Sequence, residues 1–191
     1  MLAAGLTLSV AWATTCSGDG ATGTADWNQW LGPDRNGTTS ECSGWPLGWP
    51  PQELWRTNVG WGASAPIIVR DRVYAMGWED GLDYVHCLEA AGENGRPHEI
   101  WVKSYPCRAH SRKGTRFPDA YKGPMATPAM DAETGYLYTL SCDGDLRCWE
   151  AYNRAQPGKL KWALNLFSDY QLTTGEQDYG FFGRRSKRVS W

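Results

Sequence analysis

Apolar residues in this chain fall in short runs broken by glycine, proline and acidic turns. No segment of useful length keeps a 3.6-residue apolar period, so helices are expected to be few. Ser64-Ala65-Pro66-Ile67-Ile68-Val69 opens a first strand, and a turn at Arg70-Asp71 leads into Arg72-Val73-Tyr74-Ala75-Met76. Tyr84-Val85-His86-Cys87-Leu88-Glu89-Ala90 reads as a third strand, and a turn from Gly92 to Gly95 precedes a fourth at Glu99-Ile100-Trp101. The order then recurs: Ala126 to Met130, Tyr136 to Leu140, a hairpin turn at Asp143-Gly144, Leu146 to Ala151, a turn at Gln156-Pro157-Gly158, and Leu160-Lys161-Trp162.

The two passes align. Cys87-Leu88-Glu89-Ala90 matches Cys148-Trp149-Glu150-Ala151 at an offset of 61, Trp101 matches Trp162 at the same offset, and Pro66 matches Pro128 at 62. Trp55 precedes Trp101 by 46 residues, so the second unit carries an excess, assigned to a loop insertion over residues 102–122. Four short strands in roughly 45 residues, closed by a tryptophan, describe one blade of a β-propeller. The expected fold is therefore all-β, an incomplete propeller of about two four-stranded blades. A single blade cannot bury both of its faces, so neighbours must supply the cover. Trp55, Trp101 and Trp162, at blade ends, are the expected docking side chains between sheets.

Outside the repeat, residues 26–53 set Trp27, Trp30, Trp45 and Trp49 among Pro33, Pro46, Pro50 and Pro51, an extended lead-in expected to lie against the folded body. The division that follows is a leader-like segment and linker over 1–25, the lead-in over 26–53, blades over 54–180 and a basic tail over 181–191. Residues 2–15 carry no charge and are mildly apolar, too short to span a bilayer and similar to the apolar part of a secretory signal. No positive segment precedes them, because the first basic residue is Arg35. The expectation is export to the periplasm or cell envelope, with membrane association only if Cys16 is lipidated. A formal charge of -2 does not favour a nucleic-acid partner, and 12 Trp and 22 Gly against 4 Phe lean towards strands and turns.

The opening Asp26-Trp27-Asn28-Gln29-Trp30-Leu31-Gly32-Pro33-Asp34-Arg35-Asn36-Gly37 resembles the opening motif of exported β-propeller proteins built from pyrroloquinoline-quinone (PQQ)-like repeats. Trp55, Gly62 to Pro66, Val73-Tyr74, Cys87 to Ala90 and Trp101 are similar to their first blade. Gly123-Pro124, Thr127-Pro128 and Tyr138 to Asp143 are similar to the second. The wider superfamily includes PQQ-dependent alcohol dehydrogenases and a propeller lipoprotein of outer-membrane protein assembly. The resemblance implies a ring of seven or eight blades and no single function. Where the family continues with a third blade, residues 182–191 are abruptly basic, which reads as a shifted frame or a natural basic terminus.

Function then divides three ways: a non-catalytic exported module for protein–protein interaction or scaffolding, part of a PQQ-dependent dehydrogenase, or a non-functional truncated product. The resemblance implies that a dehydrogenase site would use a disulfide between adjacent cysteines and a calcium ion held by Glu, Asn and Asp oxygens from several blades. No two cysteines here are adjacent, so PQQ and calcium belong to the second reading alone, and no catalytic, cofactor or metal residue is assigned. Cys87 and Cys148, at equivalent positions, read as small core residues, and Glu79, Asp80 and Asp83 as a solvated acidic turn. His86, His98 and His110 show no obvious carboxylate partner. The candidate interaction loop is the basic insertion, with Lys103, Arg108, His110, Arg112, Lys113, Arg116 and Tyr121 suited to an acidic partner. A protein partner is expected, and uncovered blade edges also invite self-association.

Overall fold

A computed structural model describes residues 26–39, 53–92, 94–108 and 123–170. The leader-like segment with Cys16, most of the loop insertion and the basic tail lie outside these residues. The described chain is all-β and forms two four-stranded antiparallel sheets, each a simple meander. The first comprises β1 (Ile67–Val69), β2 (Arg72–Glu79), β3 (Leu82–Glu89) and β4 (Glu99–Pro106). The second comprises β5 (Ala129–Asp131), β6 (Tyr136–Leu140), β7 (Asp145–Glu150) and β8 (Lys159–Asn165). A four-residue helix, α1 (Leu166–Asp169), follows, its start capped by the Asn165 side chain accepting from Phe167 N and Ser168 N. No helix among the described residues is long and apolar enough to cross a membrane.

The two sheets are repeats in register as well as in order. Tyr74, Cys87 and Trp101 lie side by side across β2, β3 and β4. Tyr138, Cys148 and Trp162 lie side by side across β6, β7 and β8. Both sheets carry a register shift just after the cysteine. The sheets pack face to face around one core built from both, including Val69, Val85 and Trp101 from the first and Met130, Leu137 and Trp149 from the second. Two adjacent sheets sharing a core are the architecture of consecutive propeller blades.

The hairpins differ from the sequence expectation in an instructive way. Asp80 and Gly81 join β2 to β3 with φ of 48° and 86°, the two positive values a two-residue type I′ turn requires. The turn expected at Asp143-Gly144 sits one residue earlier. Gly144 N donates to Ser141 O and Ser141 N to Asp145 O, so Cys142 and Asp143 occupy the corner and Gly144 follows at φ 81°.

The start of the lead-in, Asp26 to Asn28, lies on the blades, and residues 29–37 form turns rather than an extended stretch. Trp27 exchanges two backbone hydrogen bonds with Ile68, Asn28 O accepts from Met130 N, and Asn28 Nδ2 donates to Met130 O. It therefore spans the free edges of β1 and β5 and ties the first sheet to the second. Asp26 adds a bond from Arg70 N to its Oδ1. Further along, Trp61 pairs with Trp78, and Ala63 N and Ser64 N both donate to Pro124 O. Gly77 permits this crossing, because a Cβ there would lie 1.6 Å from Val59 O.

Candidate functional site: the joint between blades and its uncovered copy

β4 presents Trp101 and Tyr105 to the second sheet. Trp101 is 6% exposed, its Nε1 donates to Ala151 O at 3.3 Å, and its ring lies over Gly158, where a Cβ would come within 2.7 Å of it. Glycine is needed there for this approach and for its φ of 67°. Tyr74 meets Trp101 with ring centroids 6.0 Å apart. The small Cys87 between them, fully buried, leaves room for both rings. Around this contact Tyr152 reaches back to the first sheet: Arg70 and Arg72 each place a guanidinium 4.8 Å from its ring centre. At the far end of β4, Tyr105 stacks on Trp149 at 6.2 Å and takes the Arg147 guanidinium 4.0 Å over its ring.

The second sheet carries the same aromatic row, and no other described strand packs on it. Tyr138 and Trp162 are 6.1 Å apart across Cys148, the geometry of Tyr74 and Trp101. Yet Trp162 is 38% exposed, and Leu160 beside it is similarly open. Trp101 thus lies between the two sheets, whereas no described residue covers Trp162. Trp55, outside any strand, docks on the first sheet: its Nε1 donates to Ala90 O at 2.9 Å and its ring lies against Gly92. Ala90 and Ala151 each follow the third strand of their sheet, so Trp55 and Trp101 make the same bond to successive blades.

Other residues fall differently from the reading of the sequence. β4 runs to Pro106, so Lys103 is a strand residue paired with Val85 rather than part of a loop, and the insertion begins after the strand. Arg108, though exposed, is tied to the second blade: its backbone N donates to Asp143 Oδ2 at 2.7 Å and its Nε to Oδ1 at 3.3 Å. His110, Arg112, Lys113, Arg116 and Tyr121 lie outside the described residues. His86 and His98 do have carboxylate neighbours, Glu99 and Glu89, each at 3.5 Å. The described cysteines are free thiols, and burial pushes Cys87 and Cys142 up to about 11 and Cys107 to about 12. Such thiols are poor nucleophiles at neutral pH.

Asp83 is the largest correction. It is fully buried, because the tight Asp80-Gly81 turn places it inside β3, opposite Tyr105 and facing the second sheet. Neither carboxylate oxygen has a hydrogen-bond partner, and the same holds for the buried Tyr105 hydroxyl and Arg147 Nε. Burial raises the Asp83 carboxyl to about 6; the Cys107 thiol and Arg147 pull it back in part, while Asp143 and Asp145 push it further. Among the described residues, no group of three or more His, Cys, Asp or Glu is placed to hold a metal ion.

No family model and no curated protein matches the chain. Among solved structures, a europium-containing methanol dehydrogenase is similar at 17% identity and a TM-score of 0.40, over 60% of this chain and 18% of that one. The chain spans less than a fifth of that protein's length, and so slight a likeness bears on neither substrate nor activity. The assignment to propeller-type blades rests on the two repeated meanders and the joint between them.

Proposed function

We propose that the chain is an exported, non-catalytic β-propeller module that holds other proteins, a scaffold rather than an enzyme. The observation that carries this reading is Trp162, 38% exposed at the end of a Tyr138–Cys148–Trp162 row that repeats one buried where the first blade meets the second. A large aromatic with a free N–H, set on a flat strand surface, is suited to gripping another protein. The uncharged run over residues 2–15 supports export. The raised thiols support a packing role for the described cysteines.

A photo-cross-linking amino acid placed at Leu160, beside Trp162, tests the reading in cells that make the chain, with Arg154 as an exposed control. Protein adducts from position 160 that disappear when Trp162 is also replaced by Ala are the expected result. Illumination that yields no protein adduct from 160 would overturn the proposal.

A further inference from the structure

Each joint in the structure has a donor half and an acceptor half. The donor is a tryptophan N–H, on the last strand of the first blade for Trp101 and in the irregular lead-in for Trp55; the acceptor is the carbonyl of an alanine just past a third strand, with a glycine beneath the ring. Trp101 fills the acceptor of the second blade, Ala151 with Gly158. Trp55 fills the acceptor of the first, Ala90 with Gly92. Trp162 is a donor whose indole remains exposed. Among the described residues there is thus one more donor than there are acceptors.

The two fillings are unequal. Trp101 arrives on a hydrogen-bonded strand with Tyr74 and Cys87 beside it and Tyr105 further along. Trp55 arrives on a stretch, residues 53–60, that belongs to no strand, flanked by Leu54 and Arg56, both largely exposed. It occupies the acceptor without the tyrosine or the sheet that accompany its counterpart. The Tyr138–Cys148–Trp162 row has those companions. On the first blade, the face around this acceptor carries Val102, 39% exposed, beside the stacked Tyr84 and His86 rings.

We infer that Trp55 is a plug, and that Trp162 of a second copy of this chain competes with it for the Ala90 carbonyl and the Gly92 cradle. Displacement docks the second blade of one copy on the first blade of the next and continues the joint seen within the chain. The contact is head-to-tail, so it extends to a ring or an open chain rather than stopping at a symmetric pair. The inference rests on reading the exposed row as a protein-binding face and goes further by naming the partner as the chain itself and Trp55 as its control.

Sedimentation velocity on the full chain over a concentration series tests this with four proteins: wild type, Trp55→Ala, Trp162→Ala and the double variant. The wild type associates weakly, Trp55→Ala associates about tenfold more tightly or better, and Trp162→Ala and the double variant remain monomeric. Far-UV circular dichroism checks that each is folded. Gly92→Ala, whose Cβ would fall 2.4 Å from the Trp55 ring and occupy the cradle, also remains monomeric and serves should Trp55→Ala not fold. Equal association by wild type and Trp55→Ala, by Trp55→Ala and the double variant, or by Gly92→Ala and wild type overturns the inference. If position 160 cross-links to other proteins while Trp55→Ala stays monomeric, the scaffold reading stands and this one falls.

Discussion

Replacing Asp83 by Asn should stabilise the protein above neutral pH and do little in acid. The side chain is fully enclosed between the blades, without a hydrogen-bond partner for either oxygen. Its carboxyl is raised from 3.8 to about 6, chiefly by burial. The folded state therefore holds the proton more tightly than the unfolded chain, and ionisation weakens the fold. A rise of about two units corresponds to about 3 kcal/mol. That penalty is absent below about pH 3, where both states are protonated, grows as the pH climbs from there towards 6, and is complete above about 7. Asn keeps the shape and cannot ionise, so the gap between Asp83→Asn and wild type follows that curve. For a chain of this size the plateau corresponds to a rise in Tm of about 6–12 °C. Thermal melts of both proteins from pH 4 to 8 measure it, and taking the difference removes the contribution of other carboxylates. The groups facing Asp83 include the cation Arg147, the acids Asp143 and Asp145 and the thiol of Cys107. A gap that does not change with pH, or an Asn variant less stable at pH 8, would show that attraction to Arg147 outweighs burial and would refute the reasoning.

Two further outcomes follow from the same geometry. Trp101→Ala should cost about 3–5 kcal/mol in urea unfolding, because it empties a filled joint, whereas Trp162→Ala at the equivalent position should cost within about 1 kcal/mol; equal losses would mean that the two tryptophans are not one donor in two states of cover. Gly77→Ala should lift the chain at Val59 off β2, since the added carbon meets backbone, and should expose the Trp61 and Trp78 amides to hydrogen exchange at a stability cost of about 1–3 kcal/mol. Gly81→Ala, which meets no atom within 4 Å but sits at φ 86°, should lose only the backbone strain of about 1–2 kcal/mol and leave those two amides protected.

The repeat was legible because it is written in residues that must be particular. A tryptophan can lie flat across a glycine and still offer an N–H to a carbonyl, as Trp101 does, and Trp101 and Trp162 recur at the same offset as the Cys-x-Glu-Ala runs. The tyrosine of each aromatic row escaped the same comparison. Tyr74 precedes Cys87 by 13 residues and Tyr138 precedes Cys148 by 10, because the first hairpin has longer strands on a two-residue turn and the second shorter strands on a four-residue loop. Strand register brings them into line, and a linear offset does not. The Asp80-Gly81 turn carried the signal that would have placed Asp83 inside a strand. Three acids in five residues hid it, since an acidic cluster reads as solvated surface until one of its members is found facing a neighbouring sheet.

The acceptor half of the joint is written in the sequence only as the alanine that closes each Cys-x-Glu-Ala run, with nothing to mark it as an acceptor. Ala90 and Ala151 act through their carbonyl oxygens, which any residue would supply, and the glycines beneath the two docked rings sit at different distances from them in the chain. The thiols of Cys87 and Cys148, which look like chemistry in a list of residues, serve by being small: a larger side chain would part the tyrosine and tryptophan on either side, and a serine would bury an added hydroxyl needing a partner. What the described surface repeats is a means of joining sheets, and Trp162 carries one half of that joint.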